Sequence, residues 1–134
     1  MYYLLPGIAF LINLSLAIFI IYRNPRNRMN IIYAAFTFAL GLWSLGDFLV
    51  FTSTSASSAL QNNGLSIIPT SLVPAFILHF SLIFTGMKIT KKRFYYIPFY
   101  MLPVFWSIMG NFTNLISKGV EKVYWGYNPI HNIL

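Results

Sequence analysis

The chain has 134 residues, of which 57% are apolar, 19% are aromatic and only 8% are charged. Globular proteins carry about 25% charged residues, so this composition excludes an ordinary water-soluble domain, and the high apolar content excludes a disordered chain. The sequence contains no cysteine, which excludes a disulfide scaffold, a zinc–thiolate site and a cysteine nucleophile. The formal charge of +7 fits nucleic acid or a membrane surface, and the positions of the charges decide between them.

Long apolar segments dominate the chain. Four of them, separated by short polar connections, lie at residues 4–22, 31–52, 65–86 and 94–115. A helix of about 20 mostly apolar residues spans the hydrocarbon core of a bilayer. We therefore predict an all-α membrane protein, a single multi-pass domain over residues 1–134 with four transmembrane helices.

The tail at residues 116–134 follows the fourth apolar segment. Its apolar and aromatic residues recur at helical spacing, which indicates a short helix on the membrane surface; they are Val120, Val123, Tyr124 and Tyr127. An irregular loop is the alternative. Both arrangements suit the aromatic side chains, because Tyr and Trp favour the membrane–water interface.

The basic residues are unevenly distributed over the connections. Seven of the nine Lys and Arg residues lie at 23–30 and 87–93, whereas residues 53–63 carry none. Loops rich in Lys and Arg stay in the cytoplasm, so we predict a protein of the cell membrane with its N-terminus outside. Basic residues so placed contact anionic lipid, which makes the bilayer, and not nucleic acid, the expected partner.

Asp47 is the one residue with a fixed charge inside the four apolar segments. An acid in a transmembrane helix is costly and therefore a candidate functional residue. Trp43 lies one helical turn before it, and Ser44 shares the same face. One interpretation is a small-molecule contact in an outward-facing cavity; the other is an interfacial acid that hydrogen-bonds Ser44 or a neighbouring helix.

His79 is the ionisable residue of the third segment. Its predicted depth differs from that of Asp47 by roughly 14 Å at ~1.5 Å rise per residue, so we expect no direct pair between them. A neutral imidazole that hydrogen-bonds across helices is one interpretation. A ligand contact or a pH-sensing role is the other, because histidine titrates near physiological pH.

The sequence lacks the motifs of common catalytic sites. It contains no GxSxG, no HExxH and no phosphate-binding loop. We therefore expect no catalytic residue, no metal and no cofactor, and we do not expect an enzyme.

Two stretches of the chain resemble a known family. Residues 43–47 read Trp-Ser-Leu-Gly-Asp, and in residues 74–84 a proline precedes Leu-His-Phe and a final Leu-Ile-Phe. They are similar to motifs in the second and third helices of the amino-terminal seven-helix sensor region of prokaryotic membrane histidine kinases. The resemblance implies a sensory role, with a kinase chain or further membrane helices as partners. Because the family pattern continues through three more helices, the chain is expected to be a truncated or split sensor, or a solitary remnant, without a kinase core.

The leading hypothesis is therefore a membrane-embedded sensory or ligand-binding input module. Its candidate ligand-binding residues are Asp47, Trp43, Ser44 and His79. The alternatives are a structural subunit that packs with other membrane helices, which small-residue spacings in the second segment favour, and a small transporter subunit.

Overall fold

The computed structural model describes residues 2–86, 96–112, 117–124 and 126–131. These residues form four helices and one two-stranded hairpin. In chain order the elements are α1 (Leu4–Arg23), α2 (Arg28–Phe51), α3 (Ala56–Phe84), α4 (Ile97–Phe112), β1 (Ser117–Val123) and β2 (Gly126–His131). The predicted basic connection at 87–93 lies outside the described residues.

The helices pack as a row, each against the next one along the chain. The contacts of α2 are made by small side chains, since its buried residues are Ala34, Thr37, Ala39, Gly41, Gly46 and Val50. Helices in lipid associate through such small residues, because apolar burial gives them no advantage over lipid contact. The outer faces are accordingly apolar, and in α1 the buried residue is Ala17.

Three helices, α1, α2 and α3, are long and apolar enough to cross a membrane. Within the described residues, the predicted fourth span is represented by α4, which has 16 residues, about 24 Å at ~1.5 Å per residue. That length falls short of the ~30 Å hydrocarbon core. The described residues therefore contain three candidate membrane-spanning helices and a fourth, shorter helix, and the fourth transmembrane span remains a prediction.

Helix α3 begins at Ala56 instead of the predicted Leu65, so most of the polar segment 53–63 is helical. The Ser55 side chain caps the helix by accepting a hydrogen bond from the backbone N–H of Ser58 at 3.2 Å. Such a cap satisfies one of the free donors at a helix start. Near the start of α3, the Asn62 side chain donates a hydrogen bond to the carbonyl oxygen of Leu49 in α2 at 3.2 Å.

The tail is a β-hairpin, so both interpretations of it, helix and irregular loop, were wrong, and the protein is not purely α-helical. Strands β1 and β2 pair antiparallel, with Val120 opposite Pro129 and Val123 opposite Gly126. The apolar spacing that suggested a helix also fits a strand, where β-branched and aromatic residues are favoured. The hairpin packs on α2 and α3, and we call this end of the bundle the hairpin end.

Candidate functional site

A cavity of about 890 Å³ lies at the hairpin end between α2, α3, α4 and β2. Its volume is typical of sites for small organic ligands, which occupy ~300–1,000 Å³. The described residues that line it are Trp43, Asp47, Val50, Phe51, Asn63, Ser66, Ile67, Thr70, Ser71, Pro74, Leu102, Pro103, Trp106, Asn128 and Pro129.

The close approach of α2 to α3 sets one wall of the cavity. At Gly46 an added Cβ would lie 2.5 Å from Cβ and 3.0 Å from Cα of Ser66, so only glycine permits this helix spacing. Asp47 follows directly in α2, and both Asp47 and Ser66 line the cavity. Pro74 of α3 and Pro103 of α4 also line the cavity, and each proline lacks the backbone N–H that would donate the helical hydrogen bond.

Asp47 and Trp43 lie together in this cavity, as the sequence predicted for adjacent turns of one helix face. Both residues lie on α2, one helical turn apart, and both line the cavity. Asp47 is half-buried and is the ionisable residue among the described lining residues. The arrangement thus presents one carboxylate to the cavity.

A polar stripe on α3 forms the opposite wall, and the sequence interpretation missed it. The stripe consists of Asn63, Ser66, Thr70 and Ser71. Its signal was present in the sequence, because polar residues three and four positions apart in an apolar helix share one face. The Asn63 side chain lines the cavity although the residue is only 6% exposed.

The hydroxyl groups of this stripe donate to the backbone of their own helix. Thr70 donates to the carbonyl oxygen of Ser66 at 2.6 Å, and Ser71 donates to that of Ile67 at 2.8 Å. Ser66 donates to the carbonyl oxygen of Asn63 at 2.9 Å. Since each hydroxyl has one proton and two lone pairs, these oxygens remain available to the cavity as acceptors.

The hairpin closes one side of the cavity. At Gly126, which has φ 143°, an added Cβ would lie 2.5 Å from the carbonyl oxygen of Phe51, so β2 rests directly on the last residue of α2. Tyr124, at the hairpin turn, meets Tyr2 edge-on with 6.2 Å between ring centroids. The hydrogen bond with Tyr2 raises the pKa of Tyr124.

Ser44 and His79, the other two predicted site residues, are not among the residues that line the cavity. The Ser44 hydroxyl donates to the carbonyl oxygen of Leu40 at 3.0 Å. The Nδ1 atom of His79 lies 2.6 Å from the Tyr100 hydroxyl, and its ring stacks on Tyr96 at 3.9 Å. His79 therefore joins α3 to α4 on the side of the cavity away from the hairpin end.

The Tyr100→Phe variant is expected to lose the hydrogen bond to His79 and keep the ring contact with Phe76, whose centroid lies 5.7 Å away. Hydrogen bonds between membrane helices contribute about 0.6–1.7 kcal/mol. We expect the free energy of unfolding, measured by denaturing-detergent titration, to fall by an amount in that range. Tyr96→Phe is the matched control, because it removes a hydroxyl and keeps the stacked ring. An equal loss of unfolding free energy in Tyr100→Phe and Tyr96→Phe would contradict a stabilising hydrogen bond between His79 and Tyr100.

One of three comparisons with known proteins found a match. No curated protein and no solved structure matches the chain. The family model for the N-terminal 7TM region of histidine kinase matches residues 5–131, a range that includes residues 43–47 and 74–84, and this match confirms the family resemblance. The motif residues Trp43, Asp47 and Pro74 all line the cavity, and the chain belongs to the family of N-terminal 7TM regions of histidine kinases.

Proposed function

We propose that this chain is the sensory input module of a histidine-kinase-type signalling system, and that it receives its signal as a small molecule bound in the cavity. One observation carries this proposal: Trp43, Asp47 and Pro74, which belong to two separate motifs, line a single cavity. The matched family is the sensor region of these kinases. Together they favour a binding site at the hairpin end.

A ligand in this cavity would contact α2, α3, α4 and β2 at once. A ligand shifts a conformational equilibrium only by its differential affinity for the two states. Because the cavity lies between helices, a ligand that bridges them favours one helix packing over another. The signal would then pass along α3 and α4 to the half of the bundle where His79 contacts Tyr100.

The test measures the separation of α3 and α4 at the end of the bundle opposite the hairpin. The chain has no native cysteine, so Thr85→Cys and Ile97→Cys, both at exposed positions, place spin labels only there. Pulsed electron resonance on the full chain in lipid nanodiscs gives the distance distribution. A panel of cationic, neutral and anionic organic molecules that fit the cavity is then added.

We expect at least one class of compound to shift the distance between these labels. A control pair within α1, Leu5→Cys and Phe19→Cys, should stay at about 21 Å, given ~1.5 Å rise per residue, because α1 does not line the cavity. If no class of compound moves the first pair, the sensory proposal fails.

If no compound moves the labels, the alternative role of a structural subunit is favoured. One observation supports this alternative. Helix α4 exposes an apolar face in which Met101 is 65% and Leu102 is 71% exposed. Further membrane helices could pack on this face. Specific association of the chain in nanodiscs with another membrane subunit, without any compound-induced shift, would support that role.

A further inference from the structure

We infer that the ligand of this cavity is a small organic ammonium cation with an apolar body. This inference rests on the proposed function, because it names the class of molecule for the same site. It combines the polar inventory of the lining, the aromatic walls and the distribution of charge around Asp47.

The hydroxyl and carboxylate groups of the lining act as hydrogen-bond acceptors, whereas its donors are the Asn63 amide and the indole N–H groups of Trp43 and Trp106. The hydroxyl protons of Ser66, Thr70 and Ser71 are already donated to backbone carbonyl oxygens. The Asn128 amide donates to the Glu121 carboxylate at 3.3 Å, which leaves its own carbonyl oxygen for the cavity. An ionised carboxylate at Asp47 also accepts only. A ligand rich in donors, or positively charged, satisfies this set.

Aromatic rings contribute to the walls of the same cavity. Trp43, Phe51 and Trp106 all line the cavity. The face of an aromatic ring attracts a cation within about 6 Å, and desolvation strengthens this attraction. Nine of the fifteen described lining residues are apolar, so the cavity also accommodates the hydrocarbon part of a ligand.

The charge of Asp47 is not matched within the described lining, which contains no Lys or Arg. Arg28, at the start of α2, lies about 28 Å from Asp47 along the helix axis at ~1.5 Å per residue. A carboxylate removed from water is stabilised by a cation and destabilised by another anion. An anionic ligand would meet this carboxylate and a set of acceptors, and is therefore disfavoured.

The test uses three probes of one shape and different charge. Benzyltrimethylammonium is the cation, neopentylbenzene is its neutral isostere, and phenylmethanesulfonate is the anion. Binding to the full chain in nanodiscs is measured by calorimetry, with empty nanodiscs subtracted, and the spin-labelled pair at 85 and 97 reports the helix shift. We expect the cation to bind at least about tenfold more tightly than the neutral or the anionic probe, because charge pairing is strong in a partly desolvated site.

Two charge-neutralising variants complete the test, since the chain has only two acidic residues, Asp47 and Glu121. Asp47→Asn keeps the side-chain shape and should weaken cation binding about tenfold or more. Glu121→Gln removes the same charge outside the cavity, keeps an oxygen for Asn128, and should leave the affinity unchanged. Thermal unfolding midpoints of the two variants check that both fold.

The outcomes separate the two proposals. The ammonium inference is overturned if the neutral or the anionic probe binds as tightly as the cation. It is also overturned if the Asp47→Asn variant binds the cation as tightly as the unchanged chain does. If such a probe still shifts the label distance, the sensory proposal stands. If no probe binds and no probe shifts the label distance, both proposals are overturned.

Discussion

Replacing Gly46 with valine is expected to separate α2 from α3 and to lower the free energy of unfolding by about 3 kcal/mol, the upper end of the usual cost of overpacking. An added Cβ at this position would lie 2.5 Å from Ser66 Cβ and 3.0 Å from Ser66 Cα. Because one of these atoms is backbone, no side-chain rotation relieves the contact. Denaturing-detergent titration in micelles measures the loss.

Gly41→Ala, compared with Gly46→Ala, is the matched control on the same helix. Its added Cβ would meet Asn13 Cβ at 3.4 Å, an ordinary contact distance, so we expect little change. A second variant tests the mechanism: Gly46→Ala combined with Ser66→Gly removes the closest clash and should recover part of the stability lost in Gly46→Ala alone. A Gly46 variant as stable as the Gly41 variant would refute the close helix contact.

Replacing Gly126 with valine is expected to detach the hairpin from α2 and open the cavity. The residue has φ 143°, a conformation that costs a side-chain-bearing residue about 1–3 kcal/mol. The added Cβ would also lie 2.5 Å from the carbonyl oxygen of Phe51 and 3.2 Å from the carbonyl carbon of the same residue. Hydrogen–deuterium exchange should therefore rise in β1 and β2 while α1 stays protected.

Gly119→Val separates the two causes of this effect. Gly119 has φ 154°, yet nothing lies within 4 Å of its added Cβ. This variant carries the backbone strain without the clash against α2, so we expect increased exchange within β1 and a retained contact of β2 with Phe51. If both variants open the cavity equally, strain within the hairpin, and not its seat on α2, controls closure.

The membrane class and three of the helices were predictable from the sequence. In lipid the backbone must satisfy its hydrogen bonds within one segment, so a long apolar stretch has few alternatives to a helix. The Trp43–Asp47 pair was predictable for the same local reason, because residues four apart share a helix face. The end of α1 before Pro25 also follows from local chemistry, since proline disfavours helix continuation.

The opposing wall and the hairpin depended on tertiary structure. Which face of α3 turns toward Asp47 is set by the rotation of the helix about its axis, and that rotation follows from the contact of Gly46 with Ser66, residues far apart in the sequence. The same geometry leaves Ser44 outside the lining and brings His79 to Tyr100. In the tail, spacing alone fits both a helix and a strand. The close contact of Gly126 with the backbone of Phe51 favours the hairpin. This contact joins residues far apart in the sequence, so no local pattern of residues predicts it.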